Sequence, residues 1–99
     1  MRIGTTPTHT FKLPTEMAGA AKKVRVIYNQ LGSKVLAKEI LEPQGDTISI
    51  KLTQEETLLF HHAHEVEVQL RVLTDDGDAL TSDIYVIEPY RCLEESVFE

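Results

Sequence analysis

The stretch EVEVQLRVL (Glu65–Leu73) decides the fold. Valine or leucine stands at 66, 68, 70 and 72, and glutamate, glutamine or arginine at 65, 67, 69 and 71. Successive side chains of an extended chain point to opposite faces, whereas a helix repeats about every 3.6 residues. Strict alternation over this length is a strand with one face buried and one in water.

Working outward, the same period recurs. DTISIKL (46–52) sets Ile48, Ile50 and Leu52 inward against Thr47, Ser49 and Lys51. KKVRVIYNQ (22–30) sets Val24, Val26 and Tyr28 on one face and Arg25 and Ile27 on the other. In THTFKLP (8–14), His9, Phe11 and Leu13 share a face and Pro14 ends the run. SKVLAKEIL (33–41) is mixed, as expected of a strand at a sheet edge or one carrying a bulge. ALTSDIYVIEP (79–89) groups Leu80, Ser82, Ile84 and Val86 inward, which turns Asp83, Tyr85 and Ile87 outward; Pro89 closes it.

Between the strands lie NQLGS (29–33), EPQGD (42–46) and TDDGDA (74–79), rich in the residues that supply turn dihedrals. These predict tight turns between antiparallel neighbours. One segment breaks the pattern. In LTQEETLLF (52–60), Thr53 precedes Glu56 by three residues, the spacing of a capping box. It predicts one helical turn, 54–58, crossing between sheets. PTEMAGAAKK (14–23) reads as a small-residue connection with room for a turn of helix. After Pro89, the spacing of Leu93 and Val97, with Phe98 beside them, suits a short amphipathic helix. The expected fold is all-β: an immunoglobulin-like antiparallel β-sandwich of about seven strands, with one short helical turn before the penultimate strand. The chain is one domain, 1–99, with 90–99 as a C-terminal tail.

Composition narrows the function. The chain of 99 residues is 41% hydrophobic and 26% charged, with a formal charge of −6, which disfavours nucleic acid as a partner. A single cysteine, Cys92, allows no internal disulfide and fits a reducing compartment, so the chain is expected in the cytoplasm before any assembly. MRIGTTPTHTF lacks the apolar core of a secretory signal. No apolar run approaches the roughly 20 residues that cross a bilayer, so membrane insertion is not expected.

Three histidines, His61, His62 and His64, precede the deciding strand. In an extended segment His62 and His64 share a face and His61 points away, so a metal would need further ligands from elsewhere. The parity of the strand turns His64 and His62 toward the rim of the core, where a histidine caps or hydrogen-bonds. No metal or other cofactor is expected, and His62 and His64 are the weak alternative. DDGD (75–78) supplies too few oxygens for a calcium loop and reads as a hairpin tip. Ser82 lies on an inward parity with no nucleophile elbow around it. Cys92 has only Arg91 nearby to lower its pKa. The pairs Glu55–Glu56 and Glu94–Glu95 line no cleft, so no catalytic residue is expected. The surface is left. Tyr85, Ile87, Tyr90, Leu93, Val97 and Phe98, with Ile27, are the candidate interface, as one apolar patch; the alternative is that the tail folds back and covers Tyr85 and Ile87 within one chain.

Three stretches carry a resemblance: GTTPTHTFKLP (4–14), ISIKLTQEETLLF (48–60) and VQLRVLTDDGDALTSDI (68–84). Together they resemble small uncharacterised proteins encoded by phages and prophages of Gram-positive, often gut, bacteria. The resemblance implies a small β-sandwich encoded among virion structural genes, such as a tail, baseplate or neck accessory, and it carries over no site residues. The expected function is a non-enzymatic structural or interaction module whose partners are copies of itself or other virion proteins. The alternative is a module for carbohydrate or cell-surface polymer, against which stands the absence of tryptophan. A metal-dependent role for His61, His62 and His64 is the third reading.

Overall fold

A computed structural model describes residues 1–99. The strands are β1 (Thr8–Lys12), β2 (Ala21–Gln30), β3 (Ser33–Leu41), β4 (Thr47–Lys51), β5 (Val66–Thr74), β6 (Ala79–Thr81) and β7 (Tyr85–Ile87). One helical turn, α1 (Gln54–Thr57), lies between β4 and β5. The all-β class expected from the alternation holds. No helix is long and apolar enough to cross a membrane.

Two antiparallel sheets form. The larger runs β3-β2-β5, and β5 pairs on its far side with β6 and then β7. The smaller is the pair β1-β4. The sheets share one core. Val24, Val26 and Tyr28 of β2 align with Val72, Leu70 and Val68 of β5. These six face Phe11 of β1 and Ile48 and Ile50 of β4 within one apolar cluster. Each side chain lies on the inward parity read from its own strand. Burying a valine or leucine contributes about 1.5–3 kcal/mol, so the alternation sets both the strands and their facing sides.

The connections differ in kind. Leu31 and Gly32 both take positive φ (52° and 76°) between the paired Gln30 and Ser33. This is the two-residue turn whose twist matches a hairpin, and Gly32 adopts it without a Cβ penalty. DDGD is the β5–β6 hairpin tip, with the Gly77 N–H donating to the Thr74 carbonyl at 3.0 Å. EPQGD, expected to join neighbours, instead carries the chain from β3 to β4 in the other sheet. A Gly-rich turn reports a reversal of direction but not which strand the chain pairs with next. PTEMAGAAKK also crosses between sheets, without helix, and Met17 anchors it in the core. β3 is an edge strand with a bulge opposite Tyr28 and Asn29, which accounts for its mixed pattern.

The last strand needs a correction. ALTSDIYVIEP is not one strand: Ser82–Ile84 separates β6 from β7. Arg71 stands opposite Thr81, but Val68 stands opposite Tyr85, so three steps along β5 are matched by four. The extra residue reverses parity. Tyr85 and Ile87, expected outward, turn to the side of the smaller sheet: the Tyr85 ring sits 5.6 Å from that of Phe11 while remaining 41% exposed, and Ile87 packs against the core. Ile84 and Val86 take the solvent-exposed positions. Ser82 holds the bulge: its hydroxyl accepts from the Leu70 N–H at 2.9 Å and donates to the Asp83 carbonyl at 2.7 Å.

The inward parity of β5 is tested by two substitutions one residue apart. Leu70→Ala should cost about 2–5 kcal/mol in urea unfolding, and Arg71→Ala on the opposite face about 0.5 kcal/mol or less. Equal costs would show that the faces are misassigned.

Candidate functional site

The histidine loop, α1, the N-terminal segment and the tail meet at one end of the molecule. The helical turn begins as its sequence predicts. The Thr53 hydroxyl accepts from the Glu56 N–H at 3.1 Å, and the Glu56 carboxylate accepts from the Thr53 N–H at 2.8 Å. The Lys38 ammonium of β3 also binds Glu56, at 2.8 Å. Partial burial pushes the Glu56 carboxyl up, but the Lys38 and Thr53 hydrogen bonds outweigh it and hold the group below the usual carboxylate range.

The three histidines are not the mouth of a strand. Residues 61–65 form a turn outside any strand, and β5 starts at Val66. All three histidines are exposed, so the expected core-rim position for His62 and His64 is corrected. In the turn it is His61 and His64 that approach, with ring centroids 5.9 Å apart. His62 points to Glu95 of the tail, Nδ1 to Oε1 3.8 Å. A strand spaces same-face residues by two, but a turn brings together residues three apart. No group of three or more His, Cys, Asp or Glu side chains lies close enough to hold a metal ion.

What orders this loop is Gln30, the last residue of β2 and a buried one. Its Oε1 accepts from the His61 N–H at 2.8 Å, and its Nε2 donates to the carbonyls of His61 (2.8 Å) and His64 (2.9 Å). A side-chain amide here replaces a strand partner and uses only the loop's backbone. Gln30 escaped the sequence reading, although a glutamine continuing the inward parity of Val24, Val26 and Tyr28 is a visible signal.

A second glutamine fixes the tail. Gln54 of α1 donates from Nε2 to the Phe98 carbonyl at 3.0 Å and accepts from the Phe98 N–H at 2.7 Å. At the tail's base, the Ile3 N–H donates to the Tyr90 carbonyl (3.1 Å) and the Tyr90 N–H to the Met1 carbonyl (2.7 Å). The Arg2 guanidinium lies over the Tyr90 ring, 5.7 Å from its centroid. The N-terminal segment is itself tied to α1. The buried Thr57 hydroxyl accepts from the Gly4 N–H at 2.9 Å and donates to the Thr5 carbonyl at 2.9 Å. Cys92 touches the core and approaches Gly4, where a Cβ would lie 3.4 Å from its sulfur.

Held at both ends, the tail is not the amphipathic helix its spacing suggests: residues 91–99 contain none. So short a segment gains little from helical hydrogen bonds, and the Gln54 clamp needs extended backbone. The clamp leaves Leu93 91% and Phe98 78% exposed. Tyr90 and, less so, Val97 are exposed beside them. Of the candidate interface, Tyr90, Leu93, Val97 and Phe98 are exposed along one tail, Tyr85 is partly exposed beside Phe11, and Ile87 packs against the core. Ile27 lies on the outer sheet face opposite Gln69.

Beneath β1, the fully buried Tyr28 hydroxyl pairs with His9 Nδ1 at 2.9 Å. Burial, reinforced by the Glu56 charge, pushes the Tyr28 hydroxyl up, so it stays protonated. Burial, with a smaller repulsion from the N-terminal ammonium, lowers the His9 pKa below its ordinary 6.5.

Gln30→Ala should cost about 3 kcal/mol, because it strips partners from one N–H and two carbonyls at a buried site. His61→Ala, His62→Ala and His64→Ala should each cost about 0.5 kcal/mol or less, since the clamp uses none of their rings. Equal losses in chemical denaturation would refute the clamp. For His9, the folded chain resists a proton that the unfolded chain accepts. Stability is therefore full above pH 6.5 and falls as pH drops through the lowered folded value. Between pH 7 and about 5.5 the urea midpoint should decline in the wild type and stay flat in His9→Gln. Parallel curves would exclude His9 as the cause.

No protein-family model, curated protein or solved structure matches the chain.

Proposed function

We propose that this chain is a non-enzymatic interaction module that assembles with copies of itself or with other proteins of a phage or prophage virion. The exposed tail carries the reading. Leu93 and Phe98 stand almost fully in water on a backbone that Gln54 and residues Met1 and Ile3 hold in place. Apolar side chains held outward by fixed backbone, rather than folded onto their own core, favour a contact surface. The strand arrangement supports an immunoglobulin-like reading of the scaffold. β3, β2, β5 and then β6 and β7 follow the order C′, C, F, G, and the β1-β4 pair takes the place of B and E. The helical turn α1 stands at the corner that leads into F. The likeness of residues 4–14, 48–60 and 68–84 to phage-encoded proteins supports a virion setting, with synthesis in the cytoplasm before assembly.

Light scattering after size exclusion, over a range of concentrations, tests the reading. The wild type should exceed the monomer mass of 11.2 kDa as concentration rises. Leu93→Ser with Phe98→Ser should weaken that association at least about tenfold, as expected when two apolar contacts of a few kcal/mol together are lost. A wild type that stays monomeric throughout would reject self-assembly.

A further inference from the structure

We infer that the outer face of the larger sheet, around Arg25 and Arg71, receives the acidic C-terminal tail of a second copy of this chain. The inference rests on the self-assembly reading and names its second surface. Two rows of side chains cross this face. One is Glu39, Arg25, Arg71 and Thr81; the next is Leu41, Lys23, Leu73 and Ala79. Glu39 takes up both Lys23 (3.0 Å) and Arg25 (2.7 Å), and these two hydrogen bonds hold its carboxyl below its ordinary value. Arg71 has no carboxylate partner and stands directly opposite Arg25.

Like charges opposed across a strand pair oppose folding. In a chain of net charge −6, placing a second arginine there is a local conflict that folding alone does not explain. Arg71, unlike Lys23 and Arg25, keeps its charge unneutralised and open to an anionic partner. The depression between Lys23, Arg25, Arg71, Leu73 and Ala79 is cationic with an apolar floor, and Leu41, 71% exposed, borders it.

The tail has the complementary chemistry. Leu93, Val97 and Phe98 alternate in blocks with Glu94, Glu95 and Glu99, and every one of these residues is exposed. It cannot serve its own sheet face. It is tied at Tyr90 and Phe98 to the end where β5 begins, and Arg71 lies about 16 Å further along that strand. Donor and acceptor surfaces at different places on one molecule make a heterologous contact, which closes into rings or extends into filaments.

Charge exchange on the full chain tests this. Arg71→Glu sets a carboxylate opposite Arg25, so the variant keeps its fold and loses the cationic face. Glu94→Lys with Glu95→Lys reverses the tail. Each variant alone should associate at least tenfold more weakly than the wild type in low salt. An equimolar mixture should form heterodimers, through the acidic tail of the first and the basic face of the second. Wild-type association in Arg71→Glu, or no complex in the mixture, would overturn the inference. If Leu93→Ser with Phe98→Ser still disrupts assembly in that case, the tail docks elsewhere and the broader reading survives. Arg71-dependent binding of a short DNA duplex in place of the tail would also overturn it.

Discussion

The pairing of β2 with β5 is the constraint on which the rest depends. Its register sets Val24 against Val72, Val26 against Leu70 and Tyr28 against Val68. Both strands thus offer their buried parity to the same side, and a shift of one residue would turn either set into water. β1 and β4 are a two-stranded sheet, which cannot stand alone. They are stable because Phe11, Ile48 and Ile50 meet this surface. β3 extends it on one side, and β6 and β7 on the other.

At the end where β2 finishes and β5 begins, hydrogen bonds take over from apolar packing. Two glutamine side chains do the work of absent strands: Gln30 orders the histidine loop and Gln54 orders the tail. Each reads backbone rather than side chains, so both segments are fixed in path while their side chains face solvent. A cluster of histidines in this setting is a consequence of where the loop runs. For Leu93 and Phe98 the same device has another effect: it prevents the tail from folding its apolar groups inward. Thr57 joins the two regions by binding the N-terminal segment, which in turn holds Tyr90.

The two faces of the larger sheet obey different rules. The inner face is apolar across β2 and β5 except at the ends, where Gln30 and Thr74 find backbone partners, and on β3 it carries Lys38, which Glu56 of α1 neutralises. The outer face carries Glu39, Lys23 and Arg25 as a satisfied ionic group and Arg71 as an unsatisfied one. It shares apolar side chains with charged ones, and the tail does likewise with the opposite sign. The basic depression on this face and the acidic apolar tail therefore lie on one chain with complementary chemistry.

The amino-acid order alone determined which residues are extended and which way most of them point. Period-two alternation and the Thr53–Glu56 capping box are local properties, enforced between neighbours in the chain. Strand pairing was only partly legible. Turn residues marked EPQGD as a reversal, but the loss of β4 to the other sheet depends on which apolar faces must meet. The side chains of Tyr85 and Ile87 were misassigned because one looped-out residue at Ser82–Ile84 reverses everything after it, and that bulge is set by pairing with β5. Gln30 showed itself only as a polar residue on an apolar parity, and Gln54 gave no sign at all. Tyr90, Leu93, Val97 and Phe98 were legible as apolar tail positions, but what holds them outward belongs to tertiary structure: clamps, bulges and cross-strand charges join residues tens of positions apart, and local pattern carries no record of such distances.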